Sequence, residues 1–201
     1  MYFERVKADE LQLDGRELAS RLCDGGRVDY TADDRYYRLL RATSCAYVAE
    51  RLPIVRVDDG MMIGDIPVVG AAFSRVARGC SECIAMVATL GVGVDRLIAR
   101  EQHLSVSDAF VIDAMADALI EALCDDAERR LTEGEAAVPR FSPGYADLPL
   151  GVGAEIVRLL GADVRLGISF TESGLMIPRK SVSAIVCIRD EIGDTENEKY
   201  T

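Results

Sequence analysis

The pattern of apolar and polar positions in the first fifty residues predicts one short strand followed by two helices. Residues 1–13 alternate apolar and polar side chains, which is typical of an edge strand. Residues 14–23 fit a helix whose N-cap is the aspartate that opens this range. Apolar side chains then recur at helical spacing over residues 32–51, so we predict a second helix, capped by Thr31 and ended by Pro53.

The middle of the chain predicts a hairpin, a buried strand and three helices. Residues 54–69 place two apolar runs on either side of an Asp-Asp-Gly turn, which is typical of a β-hairpin. Residues 73–78 fit a short helix, and residues 82–89 form an apolar run that is typical of a buried strand. Two amphipathic helices are predicted next, over residues 94–103 and 108–132.

The last part of the chain adds one helix, over residues 151–160, and two strands, over residues 164–169 and 183–188. Strands that are spaced unevenly between helices favour an α+β fold, in which a twisted antiparallel sheet is packed by helices. We treat residues 1–80 as the N-terminal helical and hairpin part of the same domain. The acidic segment 190–201 is poor in apolar side chains, and we predict that it is disordered.

The balance of charge restricts the partners of this chain. Its 201 residues carry a formal net charge of −11, from 34 acidic and 23 basic side chains. Such a surface repels the phosphates of nucleic acid, and no basic patch offsets the repulsion, so we expect no nucleic-acid partner. No apolar run approaches the roughly 18 residues of a membrane span, and the N-terminus lacks the apolar segment of a signal peptide. These features predict a cytoplasmic protein without a membrane partner.

Six cysteines are scattered through apolar segments rather than spaced as a disulfide framework, so we expect reduced and mostly buried thiols. Cys80 and Cys83 form the one close pair. A zinc site needs two more ligands, and a thioredoxin-like motif needs a helix after the pair, whereas an apolar run follows here. We therefore place Cys83 in the core and Cys80 at a helix end, with redox or metal chemistry as the open alternative.

Candidate catalytic groups are few, whereas one turn suits ligand binding. The chain has a single histidine and no nucleophile-elbow motif, and no spacing selects a carboxylate pair among its acids. Neither a P-loop nor a dinucleotide-binding glycine motif is present. In residues 140–149, Pro143 and Gly144 form a rigid turn that holds Arg140 and Tyr145. An arginine fork and a tyrosine ring suit a small ligand that bears a carboxylate.

Two motifs resemble those of a known family. The turn R-x-S-P-G-Y begins at Arg140, and T-E-S-x-x-M-x-P-x-x-S-V-S runs from Thr171 to Ser183. In this order and spacing, they resemble the activation domain of cobalamin-dependent methionine synthase, whose signature is the turn R-x-x-x-G-Y. The family fold is a twisted sheet with flanking helices. The resemblance therefore makes residues 81–189 the core that binds S-adenosylmethionine.

The resemblance also implies a binding role for individual side chains. It implies that Arg140 binds the carboxylate of S-adenosylmethionine and that Glu121 binds its ammonium group. Tyr145 and the backbone at Phe141 are implied to orient the adenosine end. No catalytic residue is implied, because the family's domain positions its ligand beside cobalamin and excludes water. The remaining implied binding residues are Gly144 in the turn and Glu172 and Ser173, which are implied to shape either the pocket or the face that meets cobalamin.

Absent motifs define the expected partners. The chain has no D-x-H-x-x-G segment for cobalamin, and it lacks the D-W-T-P-type motif that supplies part of the family's ligand contacts. The resemblance thus implies action in trans on cobalamin carried by a methionine synthase without its own activation domain, or by another corrinoid protein. An electron donor such as flavodoxin or ferredoxin is implied as well. The alternatives are a non-catalytic regulator or scaffold that binds S-adenosylmethionine for another corrinoid methyltransferase, and a domain that has lost its ligand, against which the intact Arg140, Gly144 and Tyr145 argue.

Overall fold

A six-stranded antiparallel sheet lies at the centre of the molecule in the computed structural model, which describes residues 1–22, 26 and 29–190. Its strands are β1 (Tyr2–Arg5), β2 (Ala46–Val57), β3 (Gly60–Ile63), β4 (Ile66–Val68), β5 (Glu82–Thr89) and β8 (Ser181–Ile188). The strand order is β4-β3-β2-β5-β8, and β1 pairs with the start of β2. A small second sheet consists of β6 (Ser169–Phe170) and β7 (Met176–Ile177). The main sheet therefore combines strands from the first 80 residues with strands from the rest of the chain.

Helices cover both faces of this sheet. Within the described residues they are α1 (Gly15–Arg21), α2 (Asp34–Ala42), α3 (Ala71–Val76), α4 (Val92–Leu104), α5 (Val106–Thr132), α6 (Gly151–Leu159) and α7 (Ala162–Leu166). A 3₁₀ turn at Ala8–Glu10 precedes α1. One core lies between the sheet and α1, α2, α4 and α5, and the other lies between the sheet and α3, α6 and α7.

Strand β5 is buried on both faces, which explains its unbroken apolar sequence. Ile84 and Met86 point into the core with α5, whereas Ala85 and Val87 point into the core with α6. A strand that is covered by helices on both sides has no polar face, so its sequence does not alternate. The predicted strand over residues 82–89 is confirmed, and so is the α+β class with its antiparallel sheet.

The second predicted helix is wrong over its second half. Helix α2 ends at Ala42, and residues 46–51 begin β2 instead. Tyr47 packs into the core with α5 and Val48 packs into the opposite core, so this stretch is apolar on both sides of the sheet. Helical spacing also fits such a continuous apolar run, which is why periodicity alone misassigned it. Pro53 does not end a helix but lies within β2, opposite Glu82.

Aspartates cap the first two helices. Asp14 caps α1 as predicted, since its side chain accepts a hydrogen bond from the backbone N–H of Arg16 at 2.8 Å. The predicted cap at Thr31 is wrong. Asp33 caps α2 and accepts from the backbone N–H of Arg35 at 2.8 Å. Aspartate is among the preferred N-cap residues, because its carboxylate satisfies a free N–H of the first turn.

The strand predicted over residues 164–169 is also largely wrong. The chain forms the one-turn helix α7 there, and only Ser169–Phe170 is extended. Gly161 and Gly167 bracket α7 with φ values of +59° and +70°, a left-handed conformation that glycine adopts without strain. Val164 is 87% exposed, so its apolar side chain does not belong to the core that a strand would have supplied.

Two predictions fall largely outside the described residues. They are the end of the first helix at Cys23 and the disordered tail, of which the structure describes Asp190 alone. Asp190 is fixed in place, because its N–H donates to Gly79 O at 2.9 Å and its carboxylate accepts from the N–H of Ser81 at 2.8 Å. In the part of the chain that the structure describes, no helix is long and apolar enough to cross a membrane.

Candidate functional site

The two motif segments meet at one cleft. The cleft has a volume of about 400 Å³, which is within the usual range for sites that hold a small molecule. It lies between the start of α6, the β6–β7 hairpin and the first residues of β8. Its lining includes Ser142 and Pro143 from the first motif, Gly174, Met176 and Ser181 from the second, and Gly153 from α6. The sequence motifs therefore mark a single site, although about 25 residues of chain lie between them.

The open edge of β8 forms one wall of this cleft. Lys180 O accepts a hydrogen bond from Leu90 N at 2.9 Å on the β5 side, whereas Ile185 exchanges hydrogen bonds of 2.8 and 2.9 Å with Phe141 on the outer side. Backbone groups alternate in direction along an antiparallel strand, so the N–H and C=O groups of Ser181 and Ser183 also point outward. Within residues 29–190, no backbone partner closes the edge at these two serines. They offer hydrogen bonds to a flat, polar ligand group.

The turn after Arg140 is held in a conformation that requires glycine. Gly144 has φ +89°, and its N–H donates to Leu148 O at 2.9 Å. A Cβ atom at this position would lie 3.1 Å from a methyl group of Leu150, in addition to the backbone strain of a positive φ. Gly144 therefore allows the close approach between this turn and the start of α6.

Asp147 fastens this turn to the rest of the protein. Its carboxylate accepts hydrogen bonds from the backbone N–H of Ala71 at 2.6 Å and of Ala72 at 3.1 Å, and so caps α3. A Cβ atom on Gly70 would lie 2.9 Å from the same carboxylate, so the turn and the start of α3 are in close contact. This role could not be predicted from the sequence, because the capped helix begins 76 residues earlier.

We expect Asp147→Ala to lower the free energy of unfolding by about 1 kcal/mol, the usual cost of losing an N-cap. The ligand affinity of the cleft should fall as well, because Asp147 holds the turn that supplies Ser142 and Pro143. Chemical denaturation and ligand titration measure the two effects. Asp163→Ala is the matched control, because that exposed aspartate has no side-chain partner in the described structure. Equal behaviour of the two variants would contradict the anchoring role.

Three aromatic rings connect the core to the turn. Phe73 is fully buried and contacts Phe141 edge-on, with ring centroids 5.7 Å apart. Phe141 contacts Tyr145 in the same way at 5.3 Å. Tyr145 is 68% exposed, so its ring is the outer end of this series and is available to a ligand. Edge-to-face contacts of this kind favour one relative orientation of the rings and add to the stability that burial of the rings supplies.

Arg140 lies against the acidic face of α5. Its Nη2 donates to Glu121 at 2.5 Å, and its Nη1 donates to Asp125 at 2.5 Å and to Glu128 at 3.1 Å. Burial lowers the pKa of the guanidinium, but the hydrogen bonds to Glu121 and Asp125 outweigh it and raise the pKa above its ordinary value. The guanidinium is therefore charged at any working pH, and three carboxylates share one cation.

The structure brings some of the predicted binding residues together and separates others. Glu121 and Arg140 are in direct contact with each other, and Glu172 and Ser173 lie in the loop between β6 and β7. None of the seven predicted binding residues lines the cleft, although Ser142, Pro143 and Gly174 beside them do. The binding roles of all seven predicted residues stay predictions.

A buried cation next to the cleft was not predicted from the sequence. The side chain of Lys180 is 8% exposed, and its Nζ donates to Asp113 at 2.9 Å and to Asp117 at 2.6 Å. Lys180 directly precedes the cleft-lining Ser181 and thereby fixes the start of β8 against α5. The i, i+4 spacing of Asp113 and Asp117 indicates that both side chains lie on one face of a helix. It does not identify their common partner, which lies 63 residues after Asp117.

The cysteines in the described part of the chain are buried thiols. Five of the six lie in the described part of the chain, and all five are free and buried. Cys83 is in the core, as predicted, and faces Cys187 across the β5–β8 pair, whereas Cys80 follows α3. Within the described residues, no group of three or more histidine, cysteine, aspartate or glutamate side chains is arranged to hold a metal ion.

We expect these five thiols to resist alkylation in the folded protein at pH 8. Burial raises the pKa of Cys45 to about 11 and the pKa of Cys124 and of Cys187 to about 12, and it also raises the pKa of Cys80 and of Cys83. Only the thiolate reacts, so the native protein offers almost none. The experiment uses the Cys23→Ser variant and detects labels by mass spectrometry after iodoacetamide treatment. The native variant should carry no label, and the same variant in denaturant should carry five. Rapid native labelling of Cys80 or Cys83 would favour the redox alternative instead.

Comparison with known proteins adds a result on the fold. No protein-family model matches the sequence, and no curated protein matches it significantly. Among solved structures, the chain matches the MetH reactivation domain bound to AdoHcy, with a TM-score of 0.70 over 99% of this chain and 80% of that chain. This chain has the methionine synthase reactivation-domain fold. The two sequences are 17% identical, a level at which the comparison extends to the fold and not to single residues.

The reactivation-domain fold agrees with what the two motifs indicated. That solved domain holds an adenosyl ligand, AdoHcy. The lining of the cleft in the present chain combines apolar side chains with serine hydroxyls. Arg140 is two residues from the cleft-lining Ser142, so their Cα atoms are at most about 8 Å apart. The Arg140 side chain itself does not line the cleft and lies in a separate surface pocket with Asp125 and Glu128.

Proposed function

We propose that this protein binds S-adenosylmethionine and serves as a stand-alone activation subunit for a separate cobalamin-dependent methionine synthase. The observation that carries the proposal is the meeting of both motif segments at one cleft, whose lining begins two residues after Arg140 in the chain. The reactivation-domain fold supports it, since a solved domain with that fold binds AdoHcy.

The chemistry of the site suits each part of the ligand. The fork of Arg140 takes the carboxylate, and Glu121 takes the ammonium group. The outward backbone groups of Ser181 and Ser183 suit the polar edge of an adenosine, while Met176 supplies apolar contact. Arg179 is the one ionisable side chain in the cleft lining, so the site offers positioning rather than acid–base chemistry.

The partner supplies the reacting cofactor in this proposal. Cobalamin carried by a methionine synthase without its own activation domain, or by another corrinoid protein, faces the cleft. A donor such as flavodoxin or ferredoxin would reduce cob(II)alamin by one electron to cob(I)alamin, which would then take the methyl group of S-adenosylmethionine and leave S-adenosylhomocysteine. Leu150 is 46% exposed and Leu175 is 61% exposed beside the cleft, and such apolar surface suits a partner that covers the site and excludes water. Five unpaired, buried thiols suit the reducing cytoplasm in which we place this activity.

The cleft chemistry equally suits a second candidate. A regulator or scaffold that binds S-adenosylmethionine for another corrinoid methyltransferase also needs no acid–base group in its cleft. Its contribution would be binding alone. The two candidates differ in what they do to a corrinoid partner, and this difference decides the experiment.

The first measurement is a calorimetric titration of S-adenosylmethionine into the purified protein. Saturable binding with one site is expected. The second measurement adds a methionine synthase truncated before its activation domain, in the cob(II)alamin state, together with reduced flavodoxin. Return of the methylcobalamin absorbance only when this protein and S-adenosylmethionine are both present supports the activation subunit. Binding without any return favours the regulator, and absence of binding with the partner present overturns both.

A further inference from the structure

A groove between α2 and α4 is lined by four arginines. Its volume is about 480 Å³, and its walls carry Arg38 and Arg41 from α2 and Arg96 and Arg100 from α4. The remaining lining residues are Ala42, Gly93 and Leu97, so no carboxylate belongs to the lining. This arginine groove stands out in a chain with a formal net charge of −11, because acidic side chains dominate the remaining surface.

Two of the four arginines are fixed by ion pairs. The side chains of Arg38 and Arg100 bind opposite oxygens of the buried Glu101, at 2.8 and 2.7 Å. Arg38 also contacts Asp34 and Asp108, both at 3.2 Å. These carboxylates, of which Glu101 alone is buried, hold the two guanidinium groups in place.

The other two arginines are free to bind a partner. Arg41 and Arg96 are exposed, and in the described part of the chain their side chains have neither an ion pair nor a hydrogen bond. Two guanidinium groups that are fixed by ion pairs and two that are not thus face one groove. The N–H donors of Arg41 and Arg96 are all available to an incoming anion.

The groove is rigid at its floor. A Cβ atom on Gly93 would lie 2.2 Å from Ala42 O, so the backbones of α2 and α4 are in direct contact there. This contact sets the distance between the two rows of arginines. A preformed surface loses less freedom when a partner binds, which favours recognition by rigid docking.

The spacing of the arginines suits a protein surface better than a single anion. Arg38 and Arg41 are three residues apart on one helix, and Arg96 and Arg100 are four residues apart on the other, so each pair forms a row. Two parallel rows match several carboxylates spread over a surface. A lone phosphate instead prefers donors that converge on one point, usually with backbone N–H groups among them.

We propose that the arginine groove is a docking surface for an acidic face of a partner protein. Long-range repulsion from a chain of net charge −11 disfavours an acidic partner everywhere except at this groove, so the groove also sets the orientation of docking. The backbone N–H of Arg179, which lines the cleft, donates to Asp95 of α4 at 2.9 Å, so a docked partner lies one helix away from the cleft. The proposal stands independently of whether the cleft binds S-adenosylmethionine.

The test uses fluorescent poly-L-glutamate as the acidic partner and inorganic pyrophosphate as the small anion. Binding of poly-L-glutamate is expected to be saturable at low ionic strength and to weaken with salt. The double variant Arg41→Gln/Arg96→Gln should lose about tenfold or more in affinity, because it removes both free cations. Both residues are exposed, so the variant should keep the thermal midpoint of the wild type.

The matched control is Arg16→Gln/Arg165→Gln, which makes the same change in net charge at two other exposed arginines. This control should keep the affinity of the wild type. The proposal is overturned if poly-L-glutamate does not bind, if the control loses as much affinity as the groove variant, or if pyrophosphate binds as tightly as poly-L-glutamate. Loss of affinity in the groove variant alone supports docking at this surface.

Discussion

Arg140→Ala is expected to weaken S-adenosylmethionine binding by about 30-fold or more. The physical reason is the loss of a charge-assisted fork, since truncating one member of a hydrogen-bonded charge pair costs roughly 2–5 kcal/mol, and every 1.4 kcal/mol is about tenfold. The change also leaves Glu121, Asp125 and Glu128 without the cation that they share. Isothermal titration calorimetry of the variant beside the wild type measures the loss.

Two further variants make this result interpretable. Arg129→Ala removes the same charge from a 70% exposed side chain on α5 that lines the same surface as Arg140, so it controls for net charge. It should bind S-adenosylmethionine like the wild type. Arg140→Lys keeps the cation but not the planar fork, so it should be intermediate. Equal losses in Arg129→Ala and Arg140→Ala, or full binding by Arg140→Ala, would show that Arg140 does not hold the ligand.

Phe73→Ala is expected to lower the free energy of unfolding by about 3–5 kcal/mol, as is usual when a buried phenylalanine is truncated. Phe73 is fully buried and supports Phe141, which in turn contacts Tyr145. The cavity left behind removes the inner ring of this series, so the turn should become less ordered and bind ligand more weakly. Urea denaturation measures the stability, and titration at a temperature where the variant is folded measures the binding.

The control for this prediction is Phe110→Ala, because Phe110 is 55% exposed on α5. It should change the stability by less than about 0.5 kcal/mol. Phe73→Leu keeps most of the buried volume and should recover much of the stability, but not the edge contact with Phe141. A fully stable Phe73→Ala variant would contradict the role of this ring in the core.

Local sequence patterns predicted correctly those elements whose pattern fits a helix, a strand or a turn, but only one of the three. The 3.6-residue period of the long helix α5 and the turn between β2 and β3 were predicted from spacing. The start of β2 was not, because a strand that is apolar on both faces has no alternation to distinguish it from a helix. The one-turn helix α7 was missed because its five residues are too few to show a period.

The candidate site was likewise predicted only in part from the sequence. Its chain segments were predicted, because Arg140, Gly144 and the second motif are local features of the sequence. The groups that hold them in place were not. These groups contact partners that are distant in sequence, so only the folded chain brings them together. They are Asp147 with the start of α3, Lys180 with α5, and Glu128 with Arg140.

The half-open edge of β8 has a consequence for self-association. The segment around Phe141 closes the outer edge from Ile185 onward, which leaves about three residues of unpaired backbone at the cleft. Exposed strand edges invite pairing with another molecule, and proteins counter this with short edges and nearby charge. Here the gap is shorter than an average strand, and the exposed Arg179 precedes it. The protein therefore keeps only as much open edge as a small molecule can cover, so that a bound ligand would also protect the chain from aggregation.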